Sequence, residues 1–157
     1  MTEPLPDPPE LTPEPRPNRS ADALIKRHLR LGWWGLLVFL TMGAALEALH
    51  AFKVGFYLDV SNDARRLVWR LAHAHGTLLS VINIIFALTS NWLEERGQRP
   101  APLTSSMLMA ATILLPLGFF LGGLFIHGGD PGLGVLLVPP GAVLLFIAVL
   151  LTARGVR

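Results

Sequence analysis

A chain of 157 residues makes one compact unit rather than two ordinary domains with a linker. Its residues are 52% hydrophobic and only 15% charged, more apolar than a soluble domain of this size needs for its core, so a membrane protein is the leading class. The net charge of +2, with basic residues scattered between apolar runs, argues against a nucleic-acid footprint, and the absence of cysteine excludes disulfides, thiolate metal sites, iron–sulfur clusters and covalently attached haem.

Residues 1–20 hold seven prolines and four acids with almost no large apolar side chains, which predicts a disordered tail. No basic start, apolar core and small-residue cleavage site follow one another there, so the tail is expected to stay on the mature protein. Ser20 reads as the N-cap of a short basic helix over 21–30 that lies along the membrane surface. The domain proper, 21–157, then carries four runs near the roughly 20 residues that cross a bilayer core: 31–51, 71–92, 107–126 and 133–151. Barrel strands are about half that length and alternate, so the fold class is all-α, an integral membrane antiparallel four-helix bundle. Pro116 in the third helix and Pro139-Pro140 in the fourth predict kinks or local unwinding. Gly118 and Gly122 make a small-xxx-small face for close helix approach, within the chain or between copies.

Basic residues in the flanks set the expected orientation. Nine fall beside the start of the first span, between the second and third, and after the fourth, against Lys53, Arg65, Arg66 and Arg70 on the other side. That imbalance predicts both termini in the cytoplasm, the membrane being a bacterial inner membrane. Trp33, Trp34 and Trp92 then fall at the inner interface, Tyr57 and Trp69 at the outer one.

With this topology the unusual residues collect near the outer face: Glu47 and His50 end the first helix, His73 and His75 begin the second, and His127 with Asp130 follows the third. Each ionisable group near hydrocarbon asks for a partner or a cavity, costing about 2.5–3.5 kcal/mol at the bilayer centre and less near the interface. Glu47 and His50, three apart, share a helix face and have the spacing of carboxylate-bridged metal sites in bundles. His73 and His75 are two apart, roughly 200° around a helix, so they diverge unless the helix begins between them. His73 shares its face with Thr77 and Ser80, and less closely with Gly76 and Asn83, which makes it the inward residue, His75 having a supporting or interfacial part.

The candidate metal ligands are thus Glu47, His50, His73, His75 and His127, for zinc, copper or iron; a low-spin haem b would use His73 with His50 or His127. The surface of Gly118, Gly122 and Gly123 offers room for a flat macrocycle. Plainer readings stand beside these. Glu47 is then an ion-pair partner of Arg70 or Lys53, His127 a helix C-cap, and His28 a solvated residue of the basic flank.

The second span, opening Leu71-Ala-His73-Ala-His75-Gly76, resembles the His-x-His-leading helix of proteins related to the large subunit of haem–copper oxidases and nitric oxide reductases, including short four-helix members. The resemblance implies that His73 or His75 ligates a low-spin haem iron. The further helices that hold the second haem and the copper or non-haem iron are lacking, so oxygen or nitric oxide reduction does not carry over. Pro139-Pro140-Gly141 is similar to a segment of small four-helix membrane proteins and implies no chemistry.

Three functions follow as expectations. The Glu/His cluster binds a metal ion or haem in an electron-transfer or redox-associated role. Alternatively the chain is an accessory or assembly subunit, its tail and small-residue face meeting a membrane-protein partner or another copy. The third is a proton or solute pathway lined by Glu47, His73, Ser80 and Asn83, whose polar stripe thins out beyond Asn83. No nucleophile–base pair or phosphate loop is visible, so turnover of its own is not indicated. The expected partners are the lipid bilayer and such membrane proteins, without nucleic acid.

Overall fold

The computed structural model describes residues 19–59, 63–98 and 102–156, and four of its helices are long and apolar enough to cross a membrane. The elements are α1 (Arg19–Ala51), a single turn α2 (Gly55–Leu58), α3 (Asp63–Glu94), α4 (Pro102–Leu124), a 3₁₀ stretch (Leu133–Leu137) and α5 (Val138–Gly155). The fold is all-α and the protein integral to a membrane. The expected tail over 1–20 lies almost wholly outside the described residues.

Helix ends depart from the expected spans. Residues 21–30 continue straight into the first span, so α1 is one helix of 33 residues, and Ser20 sits inside its first turn rather than capping it. At about 1.5 Å per residue, α1 and the 32-residue α3 are each close to 50 Å long, well beyond a hydrocarbon core of about 30 Å. Arg65, Arg66 and Arg70, expected in a loop, are therefore helical. Pro139 and Pro140 do not interrupt a helix; they occupy the first turn of α5, where a missing N–H costs nothing, and the residues before them form the 3₁₀ stretch. Pro116 stays inside α4.

The turns have local causes. Lys53, with φ of 53°, ends α1: its N–H reaches the His50 carbonyl while the Val54 N–H reaches back to Leu49, a Schellman closure made without glycine. Gly97 closes α3 in the same way. After α4, His127 and Asp130 exchange backbone hydrogen bonds around Gly128 and Gly129, both at positive φ, as a tight two-residue turn requires.

The helices pack in chain order, α1 on α3, α3 on α4 and α4 on α5. At the end where α1 begins and α5 finishes (the near end), Phe86, Leu108 and Ala148 form a core with Leu24 against it; at the far end Leu46, Tyr57, Val68 and Trp69 form another. The Gly118–Gly122 face is used within the chain: Leu137 and Val138 lie over Gly118, Val135 and Pro131 over Gly122, and Trp69 against Gly123. No room for a flat macrocycle remains there. Trp33, Trp34, Leu37 and Val38 of α1 and Val143, Phe146 and Val149 of α5 stay exposed, the surface a bilayer covers.

Candidate functional site

At the far end α1 and α3 border an open cleft of about 1200 Å³, lined among others by Gly43, Glu47, His50, Tyr57, Arg66, Arg70 and His73. Register decides what can cooperate inside it. The His73 ring lies against Gly43, where α1 has no side chain to exclude it. Its Nδ1 is 2.7 Å from the Phe39 carbonyl oxygen, which can only accept, so Nδ1 carries a proton and Nε2 is the ring nitrogen left for a second partner. Nε2 has no partner among the described residues. Glu47 lies one turn beyond Gly43 on the same face, about 6 Å along the axis, and His50 about 10 Å beyond it.

Among the described residues, no group of three or more His, Asp or Glu comes together to hold a metal ion. His75 points away from the cleft: its Nδ1 donates back to the Leu71 carbonyl at 2.9 Å, and its ring rests on Phe119 of α4 at 4.9 Å between centroids. The helix runs unbroken through both histidines, so they diverge as their spacing requires. His127 lies in the turn beyond α4, exposed, and three residues past the end of that helix rather than capping it. Glu47 forms no ion pair with Arg70 or Lys53; the ion pair present among the described residues joins Arg66 to Asp63.

Arg65, expected at a loop surface, is buried; its Nε donates to the Gly123 carbonyl at 3.0 Å and its guanidinium to the Phe56 carbonyl at 2.9 Å. The Trp69 indole N–H donates to the Phe120 carbonyl at 3.1 Å. Arg65 satisfies a carbonyl that the end of α4 leaves without a helical donor, Trp69 adds a second bond to a carbonyl one turn earlier, and together they fix the far end of α3 against α4.

The larger departure is at the near end. His28 is 0% exposed, not solvated, and joins three helices. Its Nδ1 is 2.6 Å from Asn83 Oδ1 and its Nε2 is 2.8 Å from Ser105 Oγ. The Asn83 amide is oriented by its other bonds, Nδ2 donating to the Leu79 carbonyl and to Thr112 Oγ1, each at 2.8 Å. Oδ1 must therefore accept from His28 Nδ1–H. Ser105 accepts from Arg27 at 3.1 Å and donates to Nε2, while Thr112 passes its proton to the Leu108 carbonyl at 2.7 Å. A neutral imidazole satisfies every member of this network. Between the two regions, Ser80 Oγ donates to the Gly76 carbonyl at 2.7 Å, and Thr77 Oγ1 is buried without a partner.

No protein-family model matches this sequence, and no curated protein or solved structure matches it either.

Proposed function

We propose that this is a membrane-embedded binding protein whose far-end cleft takes the polar head of an amphiphile carrying both a cationic and an anionic group. The observation that carries the reading is the set of unpartnered side chains around one cleft. Glu47 and His73 Nε2 accept, and Arg70 donates as a fixed cation, with Leu46, Leu67 and Leu71 beside them for apolar chain. A head with an ammonium and a phosphate complements that set, the ammonium meeting Glu47 and Nε2 and the phosphate meeting Arg70. The basic-residue imbalance supports an orientation with the cleft in the outer leaflet and both termini in the cytoplasm.

Native mass spectrometry of the full chain in mild detergent, titrated with phosphatidylethanolamine or phosphatidylglycerol, tests the reading. Phosphatidylethanolamine should be retained preferentially, with Glu47→Gln abolishing the preference. Equal retention of both lipids by the wild-type protein rules the reading out.

A second reading, favoured by one contact, makes His73 the single protein ligand of a haem or metal ion in a redox-associated role. An Nδ1–H donated to a backbone carbonyl orients a ligating imidazole and raises the basicity of Nε2. The likeness of the His-x-His end of α3 to haem–copper oxidase relatives supports the same residue. A Soret band or stoichiometric metal in protein purified after growth with iron and haem, lost in His73→Ala, is the expected result; absence of both in the wild type removes this reading.

A further inference from the structure

A phosphate group set beside Arg70 keeps free lone pairs on its unesterified oxygens even when the guanidinium binds two of them. Arg66, the next cation along the cleft wall, is held by Asp63 and stands about one helical turn beyond Arg70. A second donor must come from another element, and α2 supplies one. A tyrosine at a membrane interface ordinarily holds its hydroxyl out to headgroups and water, but Tyr57 is only 3% exposed. The turn at Lys53 redirects the chain so that α2 touches both α1 and α3, and Tyr57 joins the core of Leu46, Val68 and Trp69. Its ring stacks on Trp69 at 6.3 Å between centroids and 19° between planes. Leu46 and Trp69 immediately precede Glu47 and Arg70, so the phenol is held near the depth of both. Measured from His73 and its facing Gly43, Arg70 lies about 4.5 Å and Glu47 about 6 Å toward the far end.

A buried tyrosine hydroxyl normally finds a hydrogen-bond partner, and that of Tyr57 has none among the described residues. Nor is it sealed in. The wholly buried side-chain polar atom without a partner among the described residues is Thr77 Oγ1, so the Tyr57 hydroxyl keeps an opening, and Tyr57 lines the cleft. We propose that Tyr57 is a phosphate-binding residue of this cleft, donating its O–H to an unesterified oxygen of the amphiphile's phosphate beside Arg70. The balance of donors and acceptors assigns it to the phosphate rather than the ammonium. Glu47 and His73 Nε2 already give the ammonium two acceptors, whereas the phosphate only accepts and has one other donor side chain. Trp69 is itself pinned by its bond to the Phe120 carbonyl, so the phenol is in place before a ligand arrives and little side-chain freedom is lost on binding. The assignment rests on the amphiphile reading of the cleft but only on its phosphate half, so a head with phosphate and no ammonium should meet Tyr57 equally.

The test titrates the full chain in mild detergent, by isothermal calorimetry, with short-chain phosphatidylethanolamine, short-chain phosphatidylglycerol and dodecylamine, an ammonium without phosphate. Tyr57→Phe removes an unpartnered hydroxyl and keeps the stacked ring, so helical circular dichroism and the unfolding midpoint should not change. It should raise the Kd of both phospholipids about tenfold, the worth of a hydrogen bond to a charged group, and leave the Kd of dodecylamine unchanged. A deformed cleft would instead weaken all three. A Kd for phosphatidylethanolamine within about twofold of wild type, or dodecylamine weakened as much as the phospholipids, overturns the proposal. Should the wild-type protein bind both phospholipids equally while Tyr57→Phe still weakens both, the phosphate contact stands and the ammonium preference falls.

Discussion

Replacing His28 with leucine separates a solvated flank residue from a buried helix tie. At an exposed position the change stays within about 0.5 kcal/mol. In the structure it removes two interhelical hydrogen bonds, to Asn83 and Ser105, worth about 0.6 kcal/mol each in a membrane protein. It also strands the buried Asn83 carbonyl oxygen, at about 1–3 kcal/mol, while Ser105 keeps Arg27 as a donor. The expected loss is about 2–4 kcal/mol. Equilibrium unfolding in mixed micelles of mild detergent and dodecyl sulfate, followed by circular dichroism, measures it. Asn83→Leu in the same protein completes a double-mutant cycle. Because the second change removes the stranded group, the pair should cost less than the sum of the singles by about 1–2 kcal/mol. A single-variant loss below about 0.5 kcal/mol, or additive singles, would refute the buried placement of His28.

Gly123→Ala places a methyl group inside the Trp69 ring and beside Val68, and should cost about 1–3 kcal/mol with a shift in tryptophan emission; wild-type stability would contradict the α3–α4 contact. Because the chain has no cysteine, Asp130→Cys in the far-end turn and Glu95→Cys at the near end report orientation cleanly. A membrane-impermeant maleimide should label Asp130→Cys in intact cells and Glu95→Cys only after permeabilisation, and the reverse pattern inverts the topology.

Much of the fold was legible because crossing length is a property of single segments. Four apolar runs, with Glu47 the single charged residue among them, announced four helices, and the His73–His75 spacing announced that only one of the pair could face α1. Register between helices is a tertiary quantity, set by which glycine admits which ring. Nothing in Glu47-x-x-His50 discloses that His73 sits opposite Gly43 rather than opposite His50. His28 was hidden by its basic neighbours, Lys26, Arg27 and Arg30, which read as a surface flank. A signal for it existed all the same. His28, Gly32, Gly35, Phe39 and Gly43 recur at four, three, four and four residues, one continuous helix face, so extending the first span about one turn toward its start places His28 on the same seam as the glycines. Arg65 escaped because a buried cation at a helix start is satisfied by carbonyls of other elements, Phe56 in α2 and Gly123 in α4, the latter 58 residues later.

The tie at His28 also has a time order written into it. Asn83 and Ser105 are made 55 and 77 residues after His28. At elongation rates of about 5–20 residues per second, His28 waits about 4–15 s for Ser105 to be synthesised. Until then α1 is better accommodated with its first turns at the headgroups, where water serves the imidazole, than at its final depth. Insertion and docking of α1 are therefore separate events: α3 and α4 must be in place before the helix made first can settle last.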